Sequence, residues 1–410
     1  MKNFRLSTKL LMGAAIALAS TASLSSCSDD DENGGNGGND DNNDNNGNIV
    51  ITDNISTNTT WTKDNVYQLG GRITVEDGAT LTIEPGTVIK GEVGTGANAT
   101  ALLVARGGKL MAEGTANEPI IFTSVADEIV SGQTASPNLD PDQNGLWGGV
   151  IVLGRAPISA SNDNGDVSEI QIEGIPTSDP NGLYGGNNPA DNSGVLKYVS
   201  IRHGGANIGA GNEINGLSLG GVGTGTVVEN IEVVANQDDG VEWFGGTVNV
   251  KNVFVWNVGD DGIDTDQAWS GELDNFLVVA CVGHNFELDG PEGSSLGASP
   301  HTIKNGTVFS SDDDLGRVAE DLINTDENSR VILQDVHITA VKTGQQVNRA
   351  TTSDPNGLIT YTDVTIDVPA GAALEDFVNG PVPAGITAGT TGKANMSAFD
   401  WTWGKAAGKF

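Results

Sequence analysis

From Asn48 onward the chain alternates short apolar runs with turn residues. Ile73-Thr74-Val75, Leu81-Thr82-Ile83 and Val88-Ile89 are separated by Glu76-Asp77-Gly78-Ala79 and Glu84-Pro85-Gly86. Alternation of this kind, broken by Gly, Pro and acidic residues, predicts half-buried strands joined by tight turns. Leu102 to Val104, Pro119-Ile120-Ile121-Phe122 and Gly148-Gly149-Val150-Ile151-Val152-Leu153 continue the pattern, and no stretch after residue 27 has helical periodicity.

Within residues 226–292 one strand motif recurs. Asn230-Ile231-Glu232-Val233, Asn252-Val253-Phe254-Val255 and Asn275-Phe276-Leu277-Val278 stand at intervals of 22 and 23, each followed by an acidic corner. Tyr198-Val199-Ser200-Ile201, Asn305-Gly306-Thr307-Val308, Asp335-Val336-His337-Ile338 and Asp363-Val364-Thr365-Ile366 extend the series to seven copies at intervals of 32, 22, 23, 30, 30 and 28. One strand motif per period suits a solenoid of stacked coils, and the longer intervals imply inserted loops, among them 155–194, 204–216 and 311–328. The expected fold is all-β: a single-stranded, right-handed parallel β-helix over 49–367. Stacked coils lie about 4.8 Å apart, so Asn230, Asn252 and Asn275 are placed to form a hydrogen-bonded ladder. A propeller needs four strands in about 40 residues, and a sandwich seldom repeats one strand motif at so short a period. Residues 368–410 lose the repeat and end Phe399-Asp400-Trp401-Thr402-Trp403-Gly404-Lys405, a segment expected to cap the last coil's open edge.

Charge narrows the partners. With 54 acidic and 20 basic side chains the net charge is −34, which makes nucleic acid and anionic lipid poor partners and leaves cations and neutral polymers open. The four histidines include His203, His301 and His337, which share no metal-ligand spacing. Cys281, in the apolar run Phe276 to Cys281, reads as a small core residue.

The first 26 residues have a basic start (Lys2, Arg5, Lys9), an apolar stretch from Leu10 to Ala19 and the ending Leu24-Ser25-Ser26-Cys27, the layout of a cleaved targeting segment. The ending resembles the lipobox of bacterial lipoproteins, which implies that Cys27 becomes the acylated first residue of the mature chain. Ser28-Asp29-Asp30-Asp31-Glu32 opens an acidic Gly/Asn/Asp-rich linker over 27–48. It resembles the export signal of Bacteroidetes surface lipoproteins, which implies anchoring in the outer membrane, facing the cell exterior.

Aligning the coils by their strands puts Asp239, Asp261 and His284 in one stack and Glu242, Asp264 and Glu287 in the next, with Asp260, Asp266 and Asp289 alongside. Carboxylates one coil apart cannot all stay ionised unaided; one must hold a proton, bind a cation or meet a base. Asp239, Glu242, Asp264, Asp266, Glu287 and Asp289 are therefore candidate ligands for Ca2+, and no other cofactor is called for. Trp243, Trp256 and Trp269 recur near the acidic corners as candidates for stacking on sugar rings.

The repeat resembles the pectin-lyase-like superfamily and, more narrowly, Bacteroidetes lipoproteins with DDGxExFGG repeats, carried here by Asp238-Asp239-Gly240-Val241-Glu242-Trp243-Phe244-Gly245-Gly246. Asn236-Gln237-Asp238, Gly259-Asp260-Asp261, Gly283-His284-Asn285 and Gly316-Arg317-Val318 are also similar to the four motifs of polygalacturonase-type glycoside hydrolases. That likeness implies an inverting hydrolase in which Asp238, Asp260 and Asp261 act as acid and base, His284 orients them and Arg317 binds uronate. Gln237, Asn285 and Ala319 depart from those motifs. The expectation is a lipid-anchored, non-catalytic β-helix that interacts with a polysaccharide or surface glycan; the alternatives are a polysaccharide hydrolase and a purely structural or adhesive surface protein.

Overall fold

The computed structural model describes residues 47–410 apart from 210–212, 294–298, 327 and 349–357. The targeting segment, Cys27 and nearly all of the 27–48 linker lie outside the described residues. Among the described residues no helix is long and apolar enough to cross a membrane.

Two parallel sheets form the walls of a β-helix, one of 15 strands and one of eight among the described residues. In the long sheet Val227–Val234, Val250–Trp256, Glu272–Val279, His301–Phe309 and Val331–Thr339 follow one another, each paired in parallel with the next. The short sheet runs through Leu217–Gly220, Val241–Phe244, Ile263–Asp266 and Phe286–Leu288. Between the sheets lies one buried core in which identical positions stack, as in Ile201, Val233, Val255, Val278, Val308, Ile338 and Ile366. Each such side chain contributes roughly 1.5–3 kcal/mol on leaving water. Where Phe276 takes more than its share of width, Gly306 stands opposite, and a Cβ there would meet the ring at 1.9 Å.

The recurring Asn has a backbone cause. Tyr198, Asn230, Asn252, Asn275, Asn305, Asp335 and Asp363 all have φ between 50° and 64°, a left-handed conformation that Asn and Asp tolerate best after Gly. Each bends its long strand inward, and the side chains then meet their copies: Asn252 Nδ2 donates to Asn230 Oδ1 at 2.9 Å and Asn275 Nδ2 to Asn252 Oδ1 at 2.7 Å. A second left-handed row, Ala235, Asn257 and Ala280, ends the long strands and starts the corners that lead to the short sheet.

Insertions decorate this frame. Residues 155–194 supply two hairpins, Ala160–Asn162 with Gly165–Val167 and Glu169–Gln171 with Leu183–Gly185. Their Ile158, Ile172, Ile175 and Tyr184 join Leu103, Ile151, Leu153 and Phe244 of the short sheet in a second apolar cluster outside the core.

The C-terminal segment differs from expectation. Ile386–Ala388 pairs with Thr360–Ile366, and Phe377, Val378 and Ile386 join the core at that end. The closing aromatics lie elsewhere: residues 393–410 fold back across the outer face of the long sheet. Asn395 N donates to Asn275 Oδ1 at 2.7 Å and Gly404 N to Glu232 Oε1 at 3.2 Å, while Trp401 packs on Tyr198 and Trp403 on Trp256. Val234, Phe254, Trp256, Leu277 and Val279 form an apolar patch with Phe399 and Trp403. Those outward side chains need a cover, and the strap supplies it.

Candidate functional site

The acidic corners follow from the second left-handed row. Asp239, Asp261 and His284 each stand four residues after Ala235, Asn257 and Ala280, so the corners present them at one height of successive coils. Asp261 N donates to Asp239 Oδ1 at 2.8 Å, and His284 N donates to Asp261 Oδ1. Three residues on, Glu242 pairs with Asp264 and Asp264 with Glu287 in the short sheet's register. Val241, Trp243, Ile263, Phe286 and Leu288 face the core, so alternation turns the acids outward.

Outward does not mean solvated. Asp239, Glu242 and Asp261 are buried, Asp238, Asp264, Asp266, Glu287 and Asp289 half-buried, and Asp260 exposed. The inserted 204–216 segment contributes Asn215, whose Nδ2 donates to Glu242 Oε2 while its buried Oδ1 has no partner. Glu173 and Glu213 add their charge from the insertions. Ligand oxygens of Asp239, Glu242 and Asp264 lie within 4.8 Å of one another, as do those of Asp238, Asp239 and Asp260, and the donors of Asp261, His284 and Glu287.

Burial and mutual repulsion shape the protonation. Burial first, then neighbouring carboxylates, hold Asp239, Glu242, Asp264 and Asp266 well above the usual carboxylate range. The same causes push Asp238 up to about 7, with Asp260 the strongest neighbour, and Asp260 up to about 6. Burial and the Asp261 carboxylate raise Glu287 to about 8. Burial opposes ionisation of Asp261, yet its contacts with His284 and Glu287 hold it below the usual range. For His284, burial opposes the charge and the Asp261 carboxylate outweighs it, pushing the imidazole up to about 9. A set of carboxyls this crowded can hold protons, chelate a cation, or both in exchange.

Other candidates are placed apart. Trp243 and Trp269 are fully buried and stack on each other at 4.7 Å inside the core, and Trp269 Nε1 donates to Val248 O at 3.0 Å. Trp256 is buried on the other sheet beneath Trp403. No face of the three is open to a sugar ring, so the stacking expectation is corrected: they are packing residues. Arg317 lies opposite Asp312 in the hairpin 311–318, and the strongest charges acting on Asp260 are Asp261, His284, Glu320 and Glu213. Cys281 is fully buried in the core.

Asn215, Glu173 and Glu213 were not visible as site residues in the sequence. They stand in insertions, outside any repeat, and only the fold brings them to the stack.

A parallel β-helix with an acidic stack on the outer face of its short sheet defines the class. A family model described as pectate-lyase like beta helix domain matches residues 53–405, and the chain belongs to that family. No curated protein and no solved structure matched the chain.

Proposed function

We propose that the protein is a non-catalytic, glycan-binding β-helix, held by acylated Cys27 on the outward face of the outer membrane, that engages an acidic polysaccharide through a divalent cation such as Ca2+. The carrying observation is the oxygen cluster of Asp239, Glu242 and Asp264. The strongest charges acting on these three are carboxylates, with no Lys or Arg among them. Asn215 Oδ1, buried without a donor beside Glu242, fits the same hard-cation chemistry. Asp239, Glu242 and Asp264 would hold the ion, with Asp238 and Asp260 at its rim, and the ion would supply the positive charge that a uronate carboxylate needs on so acidic a surface.

The hydrolase alternative is less well supported. Gln237, Asn285 and Ala319 stand where the hydrolase motifs have other residues.

Affinity electrophoresis of the purified protein in polygalacturonate and in a neutral glucan, with Ca2+ or with chelator, tests the reading. The expected result is retardation in polygalacturonate that chelator removes, with no new reducing ends. Release of reducing ends that Asp261→Asn abolishes would establish the hydrolase instead. Absence of retardation across acidic glycans would overturn the proposal.

A further inference from the structure

One histidine closes the acid stack, and its surroundings differ from the oxygen-only cluster below it. The main chain of His284 is fixed on both sides: its N–H donates to the Asp261 carboxylate, and its carbonyl accepts Gly262 N at 2.9 Å and Cys281 Sγ at 3.1 Å. Its ring nitrogen Nδ1 is buried and lies 3.0 Å from Asp261 Oδ1, an ion pair when the ring is protonated. Glu287 completes the group, three residues on in the middle of the next strand. Asn324, one coil further, donates from Nδ2 to Glu287 Oε1 at 3.0 Å and so orients that carboxyl.

Donor type discriminates among ions. Ca2+ and Mg2+ take oxygen, whereas an imidazole with carboxylates suits Zn2+ and its neighbours. The Asp261, His284 and Glu287 donors lie within 4.8 Å of one another. Ligands anchored by their own main chain, with an outer partner on Glu287, are the arrangement that makes a site selective.

We propose that Asp261, His284 and Glu287 form a second metal site, for a borderline transition cation of the Zn2+ type, separate from the oxygen-only cluster of Asp239, Glu242 and Asp264. The inference shares the acid stack with the glycan reading but does not need a glycan. His284 and Glu287 are half-buried and Asp260, next to Asp261, is exposed, so the group is not sealed from solvent.

The untagged protein, stripped with chelator and dialysed, is equilibrated with Zn2+ alone or Ca2+ alone, and bound metal is measured by mass spectrometry and calorimetry. One Zn2+ per chain is expected, weakened at least about tenfold by His284→Asn and by Glu287→Gln, with Ca2+ binding retained in both. Glu242→Gln should do the reverse. Co2+ in place of Zn2+ should give visible d–d bands that His284→Asn shifts or removes. Equal Zn2+ affinity in wild type and His284→Asn would overturn the proposal, as would loss of Zn2+ in Glu242→Gln to the same degree, which would mean one shared site. If His284→Asn does not fold, Glu287→Gln and the Co2+ spectrum of the wild type decide. Failure of polygalacturonate retardation would leave this result untouched.

Discussion

Asp261 donates its backbone N–H to the carboxylate of Asp239 one coil away, at 2.8 Å, and carries on its own side chain the one carboxyl of the stack held below the usual carboxylate range. One backbone bond thus links a carboxyl that resists ionisation to one that favours it. The stack is built by the coil repeat, so each acid stands one coil from its predecessor. Crowded acids are a cost to folding that protons or a cation can relieve.

That cost has a pH signature. Asp238, Asp260 and Glu287 have folded pKa values of about 7, 6 and 8, above their ordinary values. Between pH 4 and 8 the folded chain therefore holds more protons than the unfolded one, so these groups lose stability as pH rises. His284, raised to about 9, adds stability below its ordinary value that is likewise lost as pH rises toward 9. Metal-free protein should melt at lower temperature at pH 8 than at pH 5, and saturating Ca2+ should flatten that slope. Differential scanning calorimetry at several pH values, with and without chelator, reads both effects.

The Asn ladder should be costly to break. Asn252 combines a φ of 58° with hydrogen bonds to Asn230 and Asn275. Asn252→Val removes the bonds and places a β-branched residue in the left-handed region, which should cost about 2–4 kcal/mol. Asn252→Gly loses the bonds but not the backbone freedom and should cost less. Urea midpoints of the two variants rank them, and equal midpoints would show that the bend is not what selects Asn.

Under the C-terminal strap, Arg202 and Glu232 form an ion pair at 3.1 Å that is almost wholly buried. Glu232 also accepts Ser200 Oγ at 2.6 Å and Gly404 N at 3.2 Å, while Trp403 lies 5.0 Å from the guanidinium. Removing one partner leaves the other charge buried, so Arg202→Met should destabilise by about 3–5 kcal/mol, and Arg202→Met with Glu232→Leu should recover part of it. Thermal melts of the three proteins measure the difference. A double variant no better than the single would mean that the pair's hydrogen bonds, not its charges, hold the strap.

Much of the frame was legible because a solenoid writes its structure once per coil. The Asn positions, the strand register and the two acid stacks are all repeats, so aligning copies located them. The burial of Trp243 was legible too: it shares parity with Val241 and opposes Glu242, so an outward acid requires an inward indole. Proximity to the acids in sequence suggested the opposite. Trp256 misleads differently, since Val250–Trp256 ends in apolar residues on both faces, which betrays a covered sheet without naming the cover. The strap over 393–410 and the insertions bearing Asn215 and Glu213 occur once each, and single contacts between distant segments leave no period to read. His284 was legible as the end of one acid stack and Glu287 as a candidate cation ligand, because both stand at repeat positions.

The most direct test of the cation account is the melting temperature of Glu242→Gln beside the wild type at pH 8, each in chelator and in millimolar Ca2+. Wild type should gain several degrees with Ca2+, whereas Glu242→Gln, relieved of one buried carboxylate, should melt above wild type in chelator and gain little from the ion. A wild type that melts at one temperature in both conditions would contradict the account.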